Sequence, residues 1–325
     1  MKIGVIGGGA WGTALAQIAA AAGDVLLWAF EPEVVDAINA DHENPLFLPG
    51  TTLSPAIKAT RDLATLGDCA ALLVVTPAQH MRGILSGAPV GKRPLILCSK
   101  GIEAETMALM SEAAAQTCPD APIAVLSGPT FAGEVARGLP TAITLACADE
   151  DVGAVLARRL ARPSFRPYRS TDVIGAEIGG AVKNVLAIAC GVVEGAGLGK
   201  NARAALITRG FAEMTRFGLA RGARAETLAG MSGLGDLVLT CSSEQSRNFS
   251  LGLGLGQGRD AAGLLADRRT VAEGAFTAPV LVEAARMARV EMPISEAVAS
   301  LIEGKVSVGA AVEALLSRPL RDEAV

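Results

Sequence analysis

Residues 2–20, KIGVIGGGAWGTALAQIAA, decide the fold of the N-terminal half of the chain. The residues before the glycines predict a short β-strand, and the alanine-rich residues after them predict a helix. Between the two, Gly7, Gly9 and Gly12 follow the pattern G-x-G-x-x-G. In that pattern the first glycine allows a tight turn, the second lets a pyrophosphate approach the backbone, and the third permits close helix packing. The stretch therefore predicts a dinucleotide-binding site.

Further apolar runs recur along the N-terminal half, at residues 70–75, 95–98, 123–126 and 141–146, with helical or loop-like segments between them. Alternating strands and helices predict an α/β fold with a mostly parallel, doubly wound sheet of the Rossmann type. Ligands of such sheets gather beyond the carboxyl ends of the strands. Polar segments at residues 76–77, 99–101 and 127–130 follow predicted strands, and among them Lys100 is a candidate for binding.

The alternation stops after a last predicted strand at residues 164–169, and the remaining sequence is helical in pattern. We therefore expect two domains, a dinucleotide-binding Rossmann domain over residues 1–170 and an all-helical substrate and catalytic domain over residues 171–325.

Phe30 and Glu31 follow the second predicted strand, at the distance where dinucleotide-binding proteins place the residue that meets the adenosine ribose. The Glu31 carboxylate could accept a hydrogen bond from a ribose 2′-hydroxyl, which favours NAD, and no arginine adjoins it in sequence to favour a 2′-phosphate. Glu31 could equally cap the helix that is predicted to begin at Pro32. Both interpretations remain open at this point.

Residues 171–199, TDVIGAEIGGAVKNVLAIACGVVEGAGLG, predict a long apolar helix with Asp172 as its N-cap and one lysine, Lys183, near its middle. A lysine in apolar surroundings loses hydration, which moves its pKa toward the range that is useful for proton transfer. Alternatively, Lys183 could extend its ammonium to the surface from an ordinary core helix. Gly179 and Ala187 share its helix face and leave space beside it.

Two polar segments of the helical half are further candidates. Residues 231–236, MSGLGD, predict a flexible turn that ends in the Asp236 carboxylate. Ser246, Arg247 and Asn248 offer a hydroxyl, a guanidinium and an amide, and a guanidinium above a helix start would favour a phosphate. A helix cap within a surface loop is the alternative for this segment.

Composition excludes several classes of function. The chain has 325 residues, 50% of them hydrophobic, and a net charge of −4, which gives no basic surface for nucleic acid or for anionic membranes. We expect no apolar run long enough to cross a bilayer and no signal peptide, and therefore a cytoplasmic protein. The six cysteines are scattered without metal-ligand spacing, so we expect reduced, buried thiols and no metal.

Eight blocks of sequence, in order, resemble the bacterial NAD(P)-dependent glycerol-3-phosphate dehydrogenases. The blocks are GGGAWGTALA, NPLFLPG, SKGIE, SGPTFAGEVARGLPTA, AEIGGAVKNVLAIA, GLGDLVLTC, SRN and VAEG. The resemblance implies reversible reduction of dihydroxyacetone phosphate to sn-glycerol 3-phosphate, a phospholipid precursor, by hydride transfer from NAD(P)H.

The resemblance also implies roles for individual residues. Lys183 is implied as the catalytic proton donor and acceptor. Substrate contacts are implied for Lys100, Gly128, Thr130, Lys183, Asp236, Ser246, Arg247 and Asn248. Cofactor contacts are implied for Gly7, Gly9, Ala10, Trp11, Gly12, Phe30, Lys100, Ala132, Arg247, Val271 and Glu273.

Three positions depart from the family pattern. Phe30 stands where a basic residue is usual, Phe47 where a tyrosine is usual, and Lys200 where an aspartate is usual. The first departure leaves the preference between NADH and NADPH open. A related hydroxyacid or phosphogluconate-type dehydrogenase, or a catalytically silent nucleotide sensor, are the rival functions, and a homodimer is one of the open oligomeric states.

Overall fold

Eight strands form one sheet in the part of the chain that the computed structural model describes, residues 1–266 and 272–319. They are β1 (Ile3–Ile6), β2 (Val25–Trp28), β3 (Ile57–Thr60), β4 (Ala71–Val74), β5 (Leu95–Leu97), β6 (Ile123–Ser127), β7 (Thr141–Cys147) and β8 (Phe165–Ser170). Their order is β3-β2-β1-β4-β5-β6-β7-β8, and every pair is parallel except β6 with β7. The predicted doubly wound Rossmann-type sheet is confirmed.

Two features of the sheet were not predicted from the sequence. The edge strand β3 is four residues long, and only one of its faces is buried, so it lacks the apolar run that reveals the central strands. The antiparallel strand β7 follows β6 through the short helix Ala132–Ala136. A short connection allows the chain to return antiparallel, whereas a parallel return needs a longer crossover.

Helices α1 to α6 lie among the strands, and α7 to α15 follow them. The first group comprises α1 (Ala10–Ala20), α2 (Pro32–Asp41), α3 (Ala78–Gly87), α4 (Met110–Thr117), α5 (Ala132–Ala136) and α6 (Glu150–Leu160). The second comprises α7 (Val173–Gly195), α8 (Gly199–Ala220), α9 (Ala225–Leu228), α10 (Asp236–Cys241), α11 (Arg247–Gly256), α12 (Ala261–Leu265), α13 (Glu273–Met287), α14 (Pro293–Ile302) and α15 (Val308–Leu316). A 3₁₀-helix covers Leu63–Asp68, and a π-helical turn covers Met231–Gly235.

The chain divides into two compact units. The first comprises Met1–Lys100 and Ala108–Ala176, and the second comprises Gly101–Met107 and Glu177–Val325. The first unit holds the whole sheet. The domain boundary expected between residues 170 and 171 remains a prediction.

Helix α7 is the long apolar helix that the sequence predicts. Asp172 caps it, since its Oδ1 accepts a hydrogen bond from the Gly175 backbone N–H at 2.9 Å. The helix is long and apolar enough to cross a membrane by length and composition, so the expectation that no run reaches this length was wrong. However, 89% of its most apolar window is buried inside the protein, as in the core helix of a globular domain.

Glycines let α7 and α11 approach until their backbones touch. A Cβ on Gly191 or Gly195 of α7 would collide with the carbonyl oxygens of Phe249 or Leu253. Conversely, a Cβ on Gly252 of α11 would collide with the Ile188 carbonyl of α7. Small residues spaced four apart on both helices thus fix how closely the two helices pack.

A buried carboxylate holds the start of α14. Glu213, on α8, accepts hydrogen bonds from the backbone N–H groups of Ile294 at 2.6 Å and Ser295 at 3.2 Å, and from the Ser295 hydroxyl at 3.1 Å. These groups belong to the first turn of α14, whose N–H groups have no partner within the helix. Burial raises the pKa of Glu213 to about 7, against the opposing effect of these hydrogen bonds and of Arg216.

This shift predicts a pH dependence of stability. Because the pKa of Glu213 is higher in the folded state than in the unfolded state, its favourable contribution is complete below about pH 4.5 and is lost as the pH rises through about 7. We expect the free energy of unfolding to fall by about 3 kcal/mol over this range relative to Glu213→Gln. Urea denaturation of both proteins across these pH values measures the difference, and parallel pH profiles would contradict it.

Candidate active site

The glycine turn of the first unit has the geometry that a pyrophosphate requires. Gly7 has φ of 122°, and a Cβ on Gly12 would collide with the Gly7 carbonyl, so both positions need glycine. A Cβ on Gly9 would meet no atom of the described residues within 4 Å. Open space therefore lies in front of Gly9, which is the N-cap of α1 and supplies no side chain to its first N–H groups. These groups fit the phosphates of a dinucleotide.

Asn44 fixes the glycine turn by hydrogen bonds, a role that was not predicted from the sequence. Its side-chain amide donates to the Gly8 carbonyl and to the Thr13 hydroxyl, both at 2.8 Å. Its Oδ1 accepts from the Phe47 backbone N–H at 3.1 Å. Asn44 is fully buried and opens the block NPLFLPG, so that block was the available signal.

The other residues of the first unit with expected cofactor or substrate roles lie around the carboxyl ends of its strands. Lys100 follows β5, and Gly128 and Thr130 follow β6. The apolar core between the sheet and its helices is contacted by Ala10, Trp11 and Ala132.

Phe30 and Glu31 lie beyond the end of β2. Phe30 is 75% exposed. Glu31 occupies the N-cap position of α2, but its carboxylate makes no capping hydrogen bond. The capping interpretation of Glu31 is therefore not supported, and its carboxylate is not used by the helix.

The second unit contains a buried ion pair around Lys183. The Lys183 ammonium lies 2.6 Å from Asp236 Oδ1 and donates to the Thr240 hydroxyl oxygen at 2.9 Å. The two partners of Lys183 also bond each other, since the Thr240 hydroxyl donates to Asp236 Oδ1 at 3.2 Å. Lys183 is 6% exposed and Asp236 is fully buried, so Lys183 does not extend to the surface. The attraction between the opposite charges is strong here because little water screens it.

Asp236 and Thr240 lie one turn apart on α10, which places both side chains on one helix face. Asp236 was predicted from the sequence, whereas Thr240 was not. The spacing of four residues within GLGDLVLTC was the signal, but the segment 237–239 was ambiguous between strand and helix.

The segment before Asp236 is helical rather than an irregular turn. Residues Met231–Gly235 form the π-helical turn, and a Cβ on Gly179 would collide with the Ser232 carbonyl of that turn. The space beside Gly179 is thus filled by backbone, and the expectation that it stays open was wrong. Behind the ion pair lies the buried Cys241, whose thiol has its pKa raised by burial and by neighbouring Cys190.

The three-residue segment at 246–248 begins α11. The Ser246 hydroxyl accepts from the Phe249 N–H at 3.2 Å as N-cap, and the Asn248 side-chain oxygen accepts from the Gly274 N–H at 2.9 Å. Both side chains are buried, whereas Arg247 is exposed at the helix start. Ser246 therefore does act as a cap, as in the alternative interpretation.

Two further residues, Val271 and Glu273, have expected cofactor roles. Glu273 is the first residue of α13. Val271 lies outside the described residues. Within the described ranges, no group of three or more histidine, cysteine or acidic side chains could hold a metal ion.

Comparison with known families gives a consistent match over both halves of the chain. Residues 2–153 match the model of the NAD-dependent glycerol-3-phosphate dehydrogenase N-terminus, and residues 172–313 match the model of the C-terminus. Glycerol-3-phosphate dehydrogenase [NAD(P)+] 1 of Sphingopyxis alaskensis is 64% identical over 323 residues, which are 99% of this chain and 98% of that protein. Glycerol-3-phosphate dehydrogenase [NAD(P)+] of Caulobacter vibrioides is 61% identical over 327 residues, which are 99% of each chain.

Solved structures agree with these matches. The crystal structure of glycerol-3-phosphate dehydrogenase from Coxiella burnetii is similar with a TM-score of 0.93 and 38% identity, covering 98% of this chain and 99% of that one. A D-mandelate dehydrogenase complex with NADH is similar with a TM-score of 0.63 and 14% identity, covering 94% and 98%. The second likeness extends to the fold alone.

The hydrogen bonds of Asn44 predict that this residue positions the glycine turn for dinucleotide binding. We expect Asn44→Ala to raise the Kd of NADH roughly tenfold or more, because the lost amide leaves the buried Gly8 carbonyl and Thr13 hydroxyl without this partner. Nicotinamide fluorescence measures the Kd, with Asn39→Ala as the control, since Asn39 bonds the Ala59 backbone instead. Equal losses of affinity in both variants would contradict the role.

Proposed function

Because the chain belongs to the NAD-dependent glycerol-3-phosphate dehydrogenase family, we propose that Lys183 is the proton donor and acceptor of its reaction. The protein is an NAD(P)-dependent oxidoreductase that interconverts dihydroxyacetone phosphate and sn-glycerol 3-phosphate. The observation that carries the proposal is the buried cluster of Lys183, Asp236 and Thr240.

A nicotinamide dinucleotide held at the glycine turn would supply the hydride that reduces the substrate ketone. Lys183 gives its proton to the oxygen of that ketone, so that negative charge is neutralised where it develops. The carboxylate of Asp236 at 2.6 Å favours the positively charged form of Lys183, which is the form that can donate. In the reverse direction the Lys183 amine takes up the proton from the alcohol.

Asp236 and Thr240 have a positioning role in this proposal. A lysine side chain has many rotamers, and two hydrogen bonds from one helix face restrict its ammonium to one place. A fixed donor lowers the barrier because no side chain has to be ordered during the reaction.

Arg247 is proposed to bind the substrate phosphate. It is the first residue of α11, where the partial positive charge of the helix N-terminus adds to the charge of the guanidinium. Ser246 and Asn248 support it by fixing the helix start through the N–H groups of Phe249 and Gly274.

The two units are proposed to divide the work. The first unit, with the glycine turn, holds the dinucleotide, and the second, with Lys183 and Arg247, carries the acid-base group and the phosphate site. Support comes from the open N-terminus of α1 in the first unit and the buried ion pair in the second. Lys100, Gly128, Thr130, Ala132 and Glu273 keep the contacting roles that the family resemblance implies.

A homodimer in the cytoplasm is proposed as the working form. Phe276 and Met287 are 58% and 68% exposed on the outer face of α13, an apolar surface that a second copy could cover. All six cysteines are free and buried, which is typical of a reducing compartment. Light scattering of the purified protein tests the dimer, and a monomeric mass would refute it.

Substitution of Lys183 tests the proton transfer. We expect Lys183→Arg to lower kcat roughly a hundredfold or more, because arginine keeps the positive charge opposite Asp236 but does not release a proton. Lys183→Met should lose as much, and loss of the ion pair with the buried Asp236 carboxylate should also cost stability. The rate is followed by the loss of NADH absorbance with dihydroxyacetone phosphate.

Lys200→Met is the matched control, since Lys200 is exposed on α8 and should leave kcat unchanged. The Kd of NADH and the melting temperature of Lys183→Arg should stay close to those of the unsubstituted protein. Near-normal turnover of Lys183→Arg would remove the assigned role, and no turnover of the unsubstituted protein with either dinucleotide would refute the enzyme function.

A further inference from the structure

Neither residue that follows β2 provides a cation for the adenosine ribose. Phe30 is apolar and 75% exposed, and Glu31 carries a negative charge. In folds of this kind an acidic residue here accepts from the ribose 2′-hydroxyl of NADH, whereas a nearby arginine accommodates the 2′-phosphate of NADPH. The strand β2 alone would therefore favour NADH.

The neighbouring strand brings an arginine to the same edge of the sheet. Strand β3 pairs with β2 in parallel, with Trp28 opposite Thr60, and the Ala29 N–H donates to the Thr60 carbonyl at 3.1 Å. The next residue after Thr60 is Arg61. Parallel strands end at a common edge, so Arg61 leaves β3 beside the point where Phe30 leaves β2.

A specific hydrogen bond fixes the backbone of Arg61 at this place. The indole N–H of Trp28 donates to the Arg61 carbonyl oxygen at 3.0 Å. The contact uses the main chain and leaves the side chain of Arg61 uninvolved, so the side chain can be replaced without losing the bond.

The guanidinium of Arg61 is exposed, and it has no hydrogen bond or ion pair with any residue that the structure describes. The adjacent carboxylate, that of Asp62, is engaged as the N-cap of the helix Leu63–Asp68, where it accepts from the Ala64 N–H at 3.0 Å. An arginine without a partner beside a ribose site offers a planar pair of donors that matches phosphate oxygens.

We propose that Arg61 binds the 2′-phosphate of NADPH and that Glu31 binds the 2′-hydroxyl of NADH, so that Arg61 sets the share of NADPH in the reaction. The carboxylate of Glu31 follows β2 and the guanidinium of Arg61 follows β3, so one site can accept either dinucleotide. The inference rests on the proposed placement of the dinucleotide on the first unit.

Binding without substrate tests the inference independently of turnover. We expect Arg61→Ala to raise the Kd of NADPH roughly tenfold to a hundredfold, the range for losing a hydrogen-bonded charge, and to change the Kd of NADH less than about threefold. Nicotinamide fluorescence measures both constants. The selective loss should shrink as salt is raised, because salt weakens NADPH binding to the unsubstituted protein most.

Three further measurements sharpen the test. Arg61→Lys keeps the charge but not the planar fork and should give an intermediate Kd for NADPH. Glu31→Gln should shift preference toward NADPH, because it removes a negative charge from the site. As a fragment probe, adenosine 2′-monophosphate should displace NADH from the unsubstituted protein better than adenosine does, and this advantage should be lost in Arg61→Ala.

The matched control is Arg158→Ala, an exposed arginine of the same unit on α6, which should leave both dissociation constants unchanged. Equal weakening of NADH and NADPH by Arg61→Ala would assign Arg61 to the adenine or to folding and overturn the inference, as would unchanged NADPH binding. If the unsubstituted protein bound neither dinucleotide, the placement of the cofactor would fail, and this inference with it.

Discussion

The Lys183 ammonium lies almost entirely out of water, and burial of a charge costs several kcal/mol unless partners replace its hydration. Asp236 and Thr240 are those partners, and both come from α10. The π-helical turn leads directly into α10, and the backbone of this turn lies against Gly179 of α7. A side chain at Gly179 would push that turn away, so the charge at the centre of the unit and the glycine on the same helix are physically linked.

Much of the fold was predictable because burial and backbone conformation leave patterns in the sequence. The central strands are buried on both faces and appear as apolar runs, and glycines occur at 7 and 12 because the backbone needs the conformation of the first and the small size of the second. Strand β3 escaped prediction because an edge strand is half exposed. Its omission mattered, since Arg61 comes to the edge of the sheet where β2 ends only once β3 is paired with β2.

Some residues of the candidate site were predictable from the sequence, and others were not. Lys183 and Asp236 stand out because a charge within an apolar or glycine-rich segment is unusual. Thr240 and Asn44 do not stand out, because a threonine or an asparagine is ordinary in any segment. Their importance depends on contacts across 57 residues, from Thr240 to Lys183, and across 36 residues, from Asn44 to Gly8. Contacts at such separations are set by packing rather than by local sequence.

The apolar character of α7 has a consequence for the newly made chain. Before the second unit has folded, Val173–Gly195 would resemble a segment that the membrane-insertion machinery accepts. A lysine at the centre of such a segment opposes insertion by about 3 kcal/mol, whereas a leucine would favour it. Lys183 lies near the middle of α7, so the residue proposed to deliver the proton also makes this apolar segment a poorer candidate for insertion into a lipid bilayer.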